Sequence, residues 1–316
     1  TLQALEKMAQ PGDPIMIDAL LRNLLMDWND NTHRAELSVD KFYNYNASNG
    51  QNGLIEFRAF EMVEEPDALL APNLLLRVLT ACFAEKPYTA PLVDWREKLH
   101  DQFALPHFLR EDLHTIVAYL NEHGFDFPAD TFDAQLDFRF PKITQFKTGP
   151  TEWTLRHSVE AWPVMGEHEG TGRVVDSTTD RLELSATGLA DDAAYEIVVN
   201  GVRLPFTHVG SSTAVAGIRY RLFDNPWGLQ PHIKAHSPLR VKIVKKDSGK
   251  IVHALEFRNW KLLGQGYDGL PTTAQDAAGR VTERLQVRED LIGSTTEITD
   301  LPSDPRAPHT LDLRRL

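Results

Sequence analysis

The stretch 31–62, NTHRAELSVDKFYNYNASNGQNGLIEFRAFEM, constrains the fold more than any other. Two strand-like runs, 33–43 and 54–62, flank a loop rich in Asn and Gly, residues that tolerate positive φ and close hairpins. The stretch predicts two antiparallel strands joined by a long turn. Strand side chains alternate between faces. On the first run His33, Ala35, Leu37, Val39, Lys41 and Tyr43 share one face, and Arg34, Glu36, Ser38 and Asp40 share the other. On the second run Glu56 and Arg58 lie inside an apolar sequence, and an ionised carboxylate placed there needs a partner, a cation or water. Two readings fit. One is a cross-strand ladder of ion pairs on a solvated face. The other is a sheet that offers carboxylates to metal ions and arginines to phosphates.

The chain has 316 residues, enough for about two domains. A net charge of -12 argues against a nonspecific grip on nucleic acid or an anionic membrane. No apolar run is long enough to span a bilayer. The single cysteine, Cys82, allows no intrachain disulfide and suits a reducing compartment, so the expected location is the cytoplasm. It lies in a helical pattern and reads as a small core residue.

Along the chain, PGDP at 11–14 opens a Leu-rich helix at 15–28. After the hairpin, helical spacing returns at 73–84, 92–103 and 109–123, the last ending at Gly124. From 136 onward, β-type runs recur: LDFRF, TEWTLRHSV, RLELSAT, YEIVVN, RLPF, AVAGIRYRLF, LRVKIVKK and IVHALEFRNW. Asn200-Gly201 and Asp247-Ser248-Gly249 supply turns between them. The predicted class is α+β: helices packed on an antiparallel sheet over 1–130, then an all-β domain, sandwich or barrel-like, over 131–265. Residues 266–316 read as a partly disordered tail, with one more amphipathic helix in TTAQDAAGRVTERLQV. KIVKKD reads as a solvent-facing strand edge. LEFRNW echoes IEFRAF, with no sustained repeat around either.

Histidines 100, 107, 114 and 123 do not have metal-motif spacing and read as surface or capping residues. Glu167, His168 and Glu169 sit in a Gly-containing charged loop, read as solvated. Trp227, His232 and His236 occupy a Pro-rich loop. Exposed aromatics and histidines at strand ends can make a ligand cleft, but the preferred reading is that Trp227 plugs the end of the β domain.

NTHRAE, DKFY and GLIEFRAFEM, with WREKLHDQFALPHFLREDL, LDFRFPKI, VVDSTTDRLEL, VNGVRLPF and AGIRYRLF, resemble the C-terminal region of the bacterial transglutaminase-like proteins that carry the domain of unknown function 2126. That resemblance implies a transglutaminase-like domain upstream in the same chain, and makes this chain, which opens at Thr1, an expected C-terminal part of a longer protein. IEFRAFE is also similar to the glutamine-synthetase-like carboxylate–amine ligases, in which an E-F-R strand supplies a metal-binding Glu and a phosphate-binding Arg. Carried over, Glu56 is a metal ligand with Glu36 and His33 as neighbouring candidates. Arg58 and Arg34 are the catalytic, phosphate-contacting arginines. Lys41, on the opposite face of its strand, joins them only if that strand twists or bulges. The implied activity is amide formation with ATP and Mg²⁺ or Mn²⁺ on a peptide or amino-acid substrate. No Gly-rich nucleotide loop is present, so the chain alone is not expected to bind ATP tightly. The alternative is a non-enzymatic module whose β domain binds a peptide or partner for the upstream domain.

Overall fold

The Asn- and Gly-rich loop closes a hairpin, with a shorter ladder than the sequence predicts. β1 (Leu37–Ser38) pairs antiparallel with β2 (Glu56–Phe57), Leu37 opposite Phe57 and Ser38 opposite Glu56. Strands over 33–43 and 54–62 are therefore too long: Lys41 and Phe42 form a turn, and Leu54, Ile55 and Arg58 lie outside the ladder. The cause is local. Gly53 adopts positive φ (62°), its N–H donates to the Phe42 carbonyl at 3.1 Å, and the Leu54 N–H donates to that of Lys41 at 3.3 Å. These bonds stand one residue out of register with the β1–β2 pairing, and such a slip ends a regular ladder.

This computed structural model describes residues 16, 37–38, 41–42, 48, 50–58, 60, 69–91, 93–162, 164–165, 174–189, 194–226, 228–259, 267 and 269–316. The chain divides into two units, Thr1–Leu70 and Ala71–Leu316. The hairpin belongs to the first. The predicted helix at 15–28 falls almost wholly outside the described residues.

The second unit opens with helices. α1 (Leu70–Glu85) turns Val78 and Cys82, four residues apart, onto Leu120. Cys82 is buried, as a core residue should be. The helix expected at 92–103 is instead a 3₁₀ turn (Arg96–Lys98) running into the one-turn α2 (Leu99–Gln102). Arg96 sits at φ 47°, which no regular right-handed helix contains. α3 (Pro106–Glu122) starts with Pro at its first position and is followed by His123 and by Gly124 at φ 91°. α4 (Asp133–Arg139) corrects the β reading of LDFRF. Helical spacing puts Asp133 and Asp137 on one face, where Arg110 binds both carboxylates and Arg156 reaches Asp137 at 3.0 Å. Tertiary ion pairing overrides the alternation of LDFRF.

Most of the remaining chain is sheet. In chain order the strands are β3 (Lys142–Thr148), β4 (Thr151–His157), β5 (Val164–Met165), β6 (Val174–Val175), β7 (Thr179–Thr187), β8 (Tyr195–Val199), β9 (Val202–Arg203), β10 (Thr207–His208), β11 (Thr213–Arg221), β12 (Leu239–Lys245) and β13 (Lys250–Phe257). α5 (Ala274–Arg284) follows, capped by the Thr273 hydroxyl, then β14 (Leu285–Val287) and β15 (Thr310–Asp312). One sheet has the order β10-β11-β7-β4-β3, with β15 parallel to β11. A second runs β14-β13-β12-β8-β9, antiparallel throughout. β5 and β6 pair separately, and no sheet among the described residues closes into a barrel. Asn200 and Gly201, at φ 49° and 87°, form the two-residue β8–β9 turn that an Asn-Gly pair favours. β12 lies between β13 and β8, so KIVKKD starts inside a sheet and is not an edge.

Both larger sheets bury side chains in one core: Trp153, Leu155, Leu182, Leu184, Ile218 and Tyr220 from the first, and Ile197, Val199, Val241, Ile243, Leu255 and Phe257 from the second. Residues 266–316, which read as a partly disordered tail, add β14 to one sheet and β15 to the other. Leu311 and Leu313 enter the core. Short apolar pairs inside a polar sequence are enough to dock a segment when a strand edge waits for them.

Gly217 is the tight point of this docking. A Cβ there would stand 2.7 Å from Thr310 Oγ1 and 2.9 Å from Leu105 Cδ2. Gly217→Ala is expected to lower unfolding stability by about 1–3 kcal/mol. Gly279→Ala, in the exposed middle of α5 with nothing within 4 Å of the new methyl, is expected to raise it by about 0.5–1 kcal/mol. Chemical denaturation of the two variants checks both signs.

Candidate functional site

The hairpin brings three of the six predicted residues together. The Glu56 carboxylate accepts from Arg58 Nη2 at 3.1 Å and lies 3.6 Å from Lys41 Nζ. Glu56 and Arg58 are two residues apart and so share a face. Lys41 reaches the same carboxylate because it sits in the turn, past the register slip, rather than in a regular strand. The Arg58 hydrogen bond is the main cause of a Glu56 carboxyl held below its ordinary value, with the Arg58 and Lys41 charges assisting against partial desolvation. The Glu56 side chain is 42% exposed, and ligands can approach it from solvent. His33, Arg34 and Glu36 lie outside the described residues.

The trio sets a guanidinium and an ammonium around one carboxylate. A guanidinium offers paired donors to phosphate or carboxylate, and an ammonium offers a point charge. A divalent cation at Glu56 would need further oxygen ligands. Among the described residues no group of three or more His, Cys, Asp or Glu is placed to hold a metal ion.

Several of the other histidines singled out from sequence have structural partners. His114 pairs with Asp133 at 2.9 Å, and His123 Nδ1 lies 2.8 Å from the Tyr119 carbonyl. His107 and His236 are pushed down chiefly by burial. His236 Nδ1 accepts the Arg221 N–H at 3.1 Å. Glu167, His168, Glu169 and Trp227 lie outside the described residues.

The sequence reading missed a group of acids on β7. Glu183 is buried and accepts the His107 N–H at 2.8 Å in the first turn of α3. Asp180 accepts from the Arg181 N–H at 2.8 Å and from Asn259 Nδ2 at 2.5 Å. Burial pushes Glu183 up to about 7 and Asp180 up to about 6. The signal was present: TTDRLEL sets charges at alternate and adjacent positions of a run whose faces are both covered, so each must be buried with partners. Glu183 joins α3 to β7, and Asp180 joins β7 to Asn259.

The fold is thus a mixed helix-and-sheet protein with a small, solvent-accessible cation–carboxylate cluster on its hairpin. The family model described as "Putative amidoligase enzyme (DUF2126)" matches residues 1–314, and the chain belongs to that family. Comparison with curated proteins and with solved structures gives no match. No helix among the described residues is long and apolar enough to cross a membrane.

The β7 acids set a pH dependence. Glu183 and Asp180 hold their protons more tightly folded than unfolded, where they titrate near 4.5 and 3.8. Their contribution is complete below the unfolded values and is lost as pH rises through the folded ones. Glu183→Gln keeps an acceptor for His107 and removes the titration. It is expected to reduce the loss of stability between pH 4.5 and 8 by about 3 kcal/mol. Urea unfolding of wild type and variant at those two pH values measures it.

Proposed function

We propose that this chain is part of an ATP- and Mg²⁺- or Mn²⁺-dependent carboxylate–amine ligase that also carries a transglutaminase-like domain upstream, and that the hairpin contacts the nucleotide phosphates. The observation that carries the reading is the convergence of Lys41 and Arg58 on Glu56 in a member of an amidoligase family. Arg58 and Lys41 are the phosphate donors, with Arg34 as a further arginine. Glu56 orients both cations and, with Glu36 and His33, is the candidate metal ligand. Bound ATP and metal would supply activation of the substrate carboxylate and neutralise the phosphates. The substrate is a peptide or an amino acid.

A second reading, a non-enzymatic peptide-binding accessory module, draws on a cavity of about 230 Å³ in the second unit, lined in part by Trp153, Tyr195, Pro205 and Phe206. Aromatic and proline walls suit one apolar peptide side chain.

Calorimetry on the full-length protein separates the two. The ligase reading expects Mg²⁺·ATP binding in wild type and a loss of at least tenfold in Glu56→Ala and Arg58→Ala, the scale of one charge-assisted hydrogen bond. Nucleotide affinity unchanged in both variants overturns these assignments.

A further inference from the structure

The second unit carries its own cationic site, unrelated to the hairpin and to the ligase reading. On the outer face of the β14-β13-β12-β8-β9 sheet, three arginines surround one carboxylate. Glu256, 7% exposed, pairs with Arg240 Nε at 3.1 Å, Arg258 Nη2 at 3.4 Å and Arg288 Nη1 at 2.6 Å. Arg288 also clamps Asp290 with two bonds of 2.9 and 2.7 Å. Lys242, two residues from Arg240 on β12 and on the same face, donates only to the Thr296 hydroxyl at 2.9 Å among the described residues. The terminal nitrogens of Arg240 have no partner among them either, and its side chain is 54% exposed. Four cations against two acids leave a local positive excess on a chain of net charge -12.

Arg240 and Lys242 line a depression of about 460 Å³, with Asn200, His236, Pro238 and Leu316. That volume lies in the ligand-site range of roughly 300–1,000 Å³. Residues two apart on a strand stand about 6.8 Å apart, the spacing of alternate side chains in any extended peptide. Two fixed cations at that spacing complement carboxylates at alternate positions.

We infer that this face binds an extended acidic peptide, with Arg240 and Lys242 each taking one of two carboxylates that stand two residues apart. A long polyanion such as nucleic acid is disfavoured, because beyond the patch it meets the negative field of the whole chain. A short peptide places its charge only where the cations are. Arg240 still carries its fork of terminal donors, and Glu256 keeps Arg258 and Arg288 when Arg240 is engaged elsewhere.

The test is fluorescence anisotropy on the intact protein with a labelled Glu-Ala-Glu-Ala-Glu-Ala peptide, its Gln-for-Glu counterpart, inorganic phosphate as competitor and a single-stranded oligonucleotide. The Glu peptide is expected to bind, more weakly as salt rises, and the Gln peptide is not. The double variant Arg240→Gln, Lys242→Gln is expected to bind about tenfold more weakly, the sum of two exposed ion pairs. Its melting temperature reports folding, and the Glu-versus-Gln comparison on wild type does not depend on it. Equal binding of the two peptides, full affinity in a folded double variant, tighter binding of the oligonucleotide, or displacement by phosphate at peptide-like concentrations each overturns the inference. None of these readouts involves ATP or a metal ion, so a failed ligase reading leaves this one standing.

Discussion

Glu160 holds together two arginines that the sheet forces face to face. Arg181 on β7 and Arg219 on β11 are direct cross-strand partners. Like charges in that position repel. The Glu160 carboxylate, 1% exposed, meets Arg181 Nε at 3.2 Å and Arg219 Nε at 2.8 Å. Burying that carboxylate alone would cost several kcal/mol, and the two guanidiniums offset it while it cancels their repulsion. Neither half of the arrangement is tolerable without the other, so β7, β11 and the segment after β4 are fixed as a set.

The same set reaches outward. Arg219 lies 3.6 Å from Asp312 on β15, and Arg181 donates to the His100 carbonyl at 3.0 Å. Asp101, buried one residue on, accepts the His309 N–H at 2.9 Å and the Thr310 hydroxyl at 2.6 Å. Segments 208 residues apart in sequence are thereby held against one sheet by bonds to charged groups, while Leu311 and Leu313 supply the apolar contact. Polar bonds specify where the final strand lands, and burial supplies the driving force. The raised Glu183 and Asp180 belong to this economy, since a sheet that docks helices through buried acids becomes sensitive to pH.

Local signals were readable where local chemistry decides. Asn200-Gly201 predicted its turn because only such residues sit easily at positive φ, and RLELSAT, AVAGIRYRLF and IVHALEFRNW predicted strands because short β-type runs recur there between turn signals. LDFRF misled because Asp133 and Asp137 answer to Arg110 and Arg156, partners no window of sequence contains. The tail misled for a similar reason: Thr310–Asp312 is a strand only beside β11. In the hairpin, side-chain identity pointed to Glu56 and Arg58. The place of Lys41 followed from a register slip, which depends on backbone bonds and not on composition.

E-F-R occurs twice, at Glu56-Phe57-Arg58 and Glu256-Phe257-Arg258, and both times the arginine turns back onto the glutamate two residues before it, at 3.1 and 3.4 Å. The pairing is therefore a property of the tripeptide in extended geometry, where residues two apart share a face, and the motif by itself marks no nucleotide site. What differs is the setting. Phe257 is 3% exposed inside the core of a five-stranded sheet, whereas Phe57 is 45% exposed on a two-stranded hairpin. Glu256 is enclosed by three arginines and is 7% exposed, so the carboxylate itself is closed to a ligand whichever arginine is engaged elsewhere. Glu56 is shared by one arginine and one lysine and remains open to solvent, so it can exchange a partner for a ligand. Any case for chemistry at the first E-F-R rests on that openness and on Lys41, and a ligand that ignores Lys41 would treat the two copies alike.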